Sequence, residues 1–205
     1  MTLWELVPED EFPHSVAALN HPLPWKDTWA TVLRDDRLGI VILSHITISP
    51  NRGPGCRTSF VVQAGGREYR SVLRDSLRQT ESAFGTTRLS LDVGDASWDS
   101  RKRLVLRGHD PAGVRFALNI KGLNPAAELG TRCPGALPRS ASNCLYHVEQ
   151  WVTFEGWLEL PGGLRHELVG EGFRDRSWGW RKSEVTFGRG WLAALGRTGD
   201  RKSVV

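Results

Sequence analysis

The chain has 205 residues, 40% hydrophobic and 24% charged, with a formal net charge of +4. These are the proportions of an ordinary soluble globular protein of one or two domains. Its basicity comes from 22 arginines against 5 lysines, scattered with no block of five like charges, which argues against a nucleic-acid-binding stripe.

Met1 to Ser15 is acidic and has no apolar core, so no signal peptide is expected there. Short β-branched and aromatic runs then recur about every ten residues between Gly, Pro, Asn and Asp, which is the pattern of a sandwich or barrel. The runs predict strands at Thr28–Leu33, Ile40–Ser49, Ser59–Gln63, Glu68–Leu73, Arg88–Val93, Arg103–Arg107 and Val114–Ile120. Ala64-Gly65-Gly66-Arg67 is a hairpin turn, since its glycines can adopt the positive φ that tight turns need. A stretch rich in Pro, Gly, Ala and Ser over 124–143 lacks any period and reads as a linker. Two further strands, Glu149–Leu160 and Leu164–Gly172, turn at Pro161-Gly162-Gly163. The expectation is an all-β chain: a first antiparallel β-domain over 1–123, the linker over 124–143, and the beginning of a second over 144–199.

Familiar chemical motifs fail. His166-Glu167-Leu168-Val169-Gly170 starts like a zinc-binding H-E-x-x-H, but glycine stands where the second histidine belongs and the run reads as strand. Gly53-Pro54-Gly55-Cys56-Arg57-Thr58 lacks the lysine and helix of a phosphate loop. No nucleophile elbow or dinucleotide fingerprint occurs. Cys56, Cys133 and Cys144 are odd in number and lack C-x-x-C spacing, which fits a reducing, cytoplasmic setting. No run approaches the roughly 18 apolar residues of a membrane span. Neither metal nor cofactor is expected.

Gly170-Glu171-Gly172-Phe173-Arg174-Asp175-Arg176-Ser177-Trp178-Gly179-Trp180-Arg181 is far denser in glycine, arginine and tryptophan than a plain strand requires. Gly170 and Gly172 allow a bend or a close neighbour. If the segment is extended, Asp175 and Ser177 share one face, while Arg174, Arg176, Trp178 and Trp180 share the other. Trp178 and Trp180 can line an apolar cavity or plug a barrel end, and can stack on the arginines. Asp175 can accept backbone N–H bonds and pin the bend after Gly172, or serve a site. His147 and Glu149, two apart on one strand, also share a face.

This dodecamer resembles the signature G-x-G-x-R-D-H-S-W-G-x-R of the double-calycin superfamily, two lipocalin-like β-barrels in one chain. That group includes AttH-like proteins and hydroxyneurosporene synthase, a carotenoid 1,2-hydratase. Gly170, Gly172, Arg174, Asp175, Ser177, Trp178, Gly179 and Arg181 match; position 176 has Arg where the pattern has His. His147-Val148-Glu149-Gln150 is similar to the H-Y-E-Q opening the second domain. Asp10, His14, Trp25-Lys26-Asp27-Thr28-Trp29 and Asn51-Arg52-Gly53 resemble further elements. The resemblance implies two calycin-like barrels, the second incomplete, and a hydrophobic small-molecule partner such as a polyene, isoprenoid or polyketide. It also implies, alternatively, a cofactor-independent hydratase or pericyclase-like enzyme with Asp175 as acid or orienting group. Arg176 is then the departure that bears on proton transfer, because a guanidinium does not lose its proton near neutral pH. Arg174, Ser177, Trp178, Trp180, Arg181, His147 and Glu149 are the expected ligand-binding residues. A third alternative leaves the dodecamer a purely structural element. Asp200 to Val205 resembles a translated sequencing adapter, so a non-native tail over 200–205 is expected, with the native protein continuing past Gly199.

Overall fold

The computed structural model describes residues 25–49, 51, 56–75, 80–83, 86–91, 94–99, 103–109, 112–128 and 144–180. Among these residues there are twelve strands and no helix. In chain order they are β1 (Trp25–Asp35), β2 (Ile40–Ile48), β3 (Cys56–Ala64), β4 (Arg67–Asp75), β5 (Thr80–Ala83), β6 (Thr86–Leu91), β7 (Gly94–Asp99), β8 (Arg103–His109), β9 (Arg115–Gly122), β10 (Ala127–Glu128), β11 (Cys144–Leu160) and β12 (Leu164–Trp180).

The strands join in one antiparallel sheet, in the order β4-β3-β2-β1-β12-β11-β9-β8-β7-β6-β5, with β10 added to β11. Each expected strand overlaps an observed one, although residues 92 and 93 of the expected Arg88–Val93 lie outside the described residues, and β5 and β7 were not expected. Gly65 and Gly66 have φ of 56° and 75°, the two positive values that a two-residue turn between β3 and β4 requires. Two expectations are revised. The linker contributes β10, which pairs Ala127 with Glu149. The hairpin expected to open the C-terminal unit is longer than its hydrophobic pattern indicates, and it lies between β1 and β9. The N- and C-terminal portions therefore share one continuous sheet. The expected tail, 200–205, lies outside the described residues.

The eight strands from β4 to β8 curl into a half-barrel. Phe60 on β3 meets Phe116 on β9 edge to face, with ring centroids 5.1 Å apart, although four strands separate them in the sheet. A packed core explains the curl. Trp29, Leu33, Ile42, Ile46, Phe60, Val62, Leu106, Leu118, Ile120, Val152, Phe154, Leu158 and Leu168 all sit in one buried cluster. On β2 the burial alternates residue by residue, so period two sends Ile40, Ile42, Ile46 and Ile48 inward. Between Phe60, Val62, Tyr69, Val114 and Phe116 a void of about 10 Å³ remains, about what one water needs.

Gly170 and Gly172 lie on the inward face of β12, where β1 comes close. A Cβ on Gly172 would strike the Val32 carbonyl and the Leu33 side chain, and one on Gly170 the Arg34 carbonyl and the Phe154 ring. Their role is the close approach that the sequence suggests.

Candidate functional site

The dodecamer is extended through Trp180, as β12, and the pleat divides its side chains as expected. Its inward face carries Arg174, Arg176 and Trp178. Arg176 is 1% exposed. It forms an ion pair with buried Asp27 of β1 and donates to the carbonyls of Thr28 (3.3 Å) and Ser177 (3.2 Å). Its guanidinium lies 4.0 Å from the ring centre of Trp29 and 4.8 Å from that of Trp178. A buried cation is tolerable because a carboxylate, two carbonyls and two π faces replace its water. Beside it, Arg174 Nε donates to Gln150 Oε1 at 2.7 Å, and the Thr31 and Ser44 hydroxyls pair at 2.8 Å. Beyond this polar belt, Trp25, Ala126, Val148 and Trp178 form a second buried cluster with Trp180 packed against it. Trp178 is thus a core residue at one end of the shell, with Trp180 partly buried against it.

The outward face of the same hairpin holds the other candidates. Register puts Glu149 directly opposite Asp175, and His147 opposite Ser177. Asp175 is 5% exposed. Its Oδ2 contacts His147 Nε2, and its Oδ1 accepts the Ser177 hydroxyl at 3.3 Å. His147 Nε2 is 3.5 Å from Glu149 Oε1. The side chains of His147 and Glu149 retain 17% and 21% exposure, leaving the cluster one open side. Burial pushes the Glu149 carboxyl above the ordinary carboxylate range; His147 opposes this and the neighbouring Asp175 charge adds to it. The partners of Asp175 are therefore side chains of its own sheet face.

The next row along this face is apolar. Trp151 lies opposite Phe173, which lies opposite Val32, which lies opposite Leu43. The Trp151 and Phe173 rings meet at 6.1 Å, and Trp151 is 37% exposed. Polar cluster and aromatic row are thus adjacent, one pleat repeat apart on two strands.

Of the expected site residues, the fold brings His147, Glu149, Asp175 and Ser177 together. It places Arg174, Arg176, Trp178 and Trp180 on the opposite face. Arg181 lies outside the described residues, as do Asp10 and His14. Asp27, the charge partner of Arg176, was legible only as part of a motif, since its pairing crosses 149 positions of sequence. Trp151 and Phe173 give no local signal beyond being aromatic residues in a strand. Among the described residues no helix is long and apolar enough to cross a membrane.

No curated protein matches the chain. The family model described as "Domain of unknown function (DUF7064)" matches residues 7–202, nearly the whole length and three residues into the expected tail. The chain therefore belongs to this DUF7064 family.

Proposed function

We propose that this protein binds a hydrophobic small molecule with one polar end, of polyene, isoprenoid or polyketide type, on the outer face of the β11–β12 hairpin. The observation that carries the reading is the adjacency of the Trp151–Phe173–Val32 row to the partly open His147–Glu149–Asp175–Ser177 cluster. Ligand sites combine apolar contact area with a few convergent polar groups, and this face supplies both. The resemblance to double-calycin proteins supports the same ligand class.

Titration with isoprenoid alcohols, polyenes and aromatic polyketides should quench tryptophan emission. Trp151→Ala should weaken binding about tenfold, the scale of a lost aromatic contact. Trp157→Ala, on the same face but six residues along the strand, should leave it unchanged. Absence of quenching across the panel rules the reading out.

A second reading, catalysis on the bound molecule as the hydratase resemblance implies, is favoured by the contact between His147 Nε2 and Asp175 Oδ2. Asp175 would act as acid or orienting group beside the apolar row. Asp175→Asn should then abolish turnover of a polyene while the far-ultraviolet spectrum stays unchanged. If the only effect is a lower melting temperature, the dodecamer is structural.

A further inference from the structure

We propose that His147, Glu149 and Asp175 form a binding site for a divalent first-row transition ion. One imidazole nitrogen and one oxygen from each carboxylate all lie within 4.8 Å of one another. A shared ion bonded at about 2.0–2.2 Å holds its donors about 3–4 Å apart, so small side-chain rotations bring these three into place. The scaffold is rigid where it matters. The ligands stand on adjacent, directly registered strands, flanked by β1 on one side and β10 on the other.

Three further features fit an ion. The cluster gathers two carboxylates in a partly buried place, while the adjacent Arg176 directs its charge to Asp27 on the opposite face. Asp175 is oriented by the Ser177 hydroxyl on its other oxygen, the kind of outer hydrogen bond that steers a metal ligand. The remaining exposure of His147 and Glu149 gives an entry path and leaves coordination positions open, as at catalytic rather than closed structural sites.

The mixed nitrogen and carboxylate donors select zinc or manganese over magnesium, which prefers all-oxygen surroundings and retains its waters. No sequence motif announces the site, because two donors lie at i and i+2 on β11 and the third comes from β12. The inference goes beyond ligand binding. A bound ion would occupy the position between His147 and Asp175 that the second catalytic reading uses, so the two exclude each other there.

Calorimetric titration of the full chain with zinc, manganese and magnesium chlorides tests it. Zinc should bind one per chain, and magnesium at least about a hundredfold more weakly. His147→Gln and Asp175→Asn should each remove the zinc-dependent rise in melting temperature. Ser177→Ala should weaken zinc about tenfold, at the lower end of the effect of an outer-shell partner. Substituting Cys56, Cys133 and Cys144 by serine should leave zinc binding intact. Should any variant misfold, cobalt(II) absorption of the wild-type chain, abolished by zinc competition and insensitive to thiol alkylation, provides the same test. No stoichiometric zinc, or zinc lost with the cysteines and kept in His147→Gln, overturns the proposal. Quenching by apolar ligands is read separately, so failure of the ion leaves the ligand reading standing, and the reverse.

Discussion

The charged groups on the two faces of the sheet at the β11–β12 hairpin are treated oppositely. Inward, Arg176 and Asp27 are each 1% exposed and satisfied by one another, two carbonyls and two indole rings. Outward, two carboxylates crowd together with one imidazole and keep an opening to solvent. The inner charges are thus buried against one another. The outer set, with its two carboxylates and imidazole partly buried together, is the set on which the proposed ligand and ion sites rest.

Breaking the inner pair should have the largest effect. Arg176→Met or Asp27→Leu should each lower unfolding free energy by about 3–5 kcal/mol in denaturant titration, because a buried charge is left uncompensated. The double variant should recover much of that loss. If the singles cost under 1 kcal/mol, the contrast between the faces disappears.

Asp35 extends the comparison to a second inward carboxylate. It is fully buried and accepts the backbone N–H groups of Val169 (2.9 Å) and Arg37 (3.0 Å), closing the β1–β2 turn onto β12. Burial opposes its ionisation, but the Arg37 side chain, these two backbone bonds and the Arg37 charge outweigh it, and the carboxyl titrates below its ordinary value of 3.8. Its folded value is depressed, so its contribution is present above about pH 4 and is lost as pH falls through the lower folded value. Asp35→Asn should cost about 1.5–3 kcal/mol near neutral pH, as for charged hydrogen bonds. The difference from wild type should shrink below about pH 4; a pH-independent difference contradicts this account.

Gly172→Ala sharpens the steric side of the same contrast. It should destabilise by about 1–3 kcal/mol through overpacking against β1, without altering ligand or zinc titrations.

Glu149→Gln probes the outer face and should move stability least, within about 1 kcal/mol and in the stabilising direction, because it removes a desolvated charge beside Asp175. Thermal unfolding measures it. A loss as large as that of Arg176→Met would make the outer cluster structural.

Strand positions were legible because they depend on local alternation: the Ile40, Ile42, Ile46 and Ile48 pattern and the Gly65-Gly66 turn need no distant partner. The division of the dodecamer, Asp175 and Ser177 against Arg174, Arg176 and Trp178, was equally legible, since the pleat alone dictates it. The residue types of the site were visible too, including the His147 and Glu149 pair on one strand.

Partnership was not. That Arg176 would find Asp27, that Glu149 would stand opposite Asp175, and that the hairpin would lie between β1 and β9 are matters of strand order and register. Side-chain alternation repeats every two residues and so encodes which face a residue occupies. It carries no record of which strand lies alongside, and only the curled sheet, closing around its apolar core, decided that.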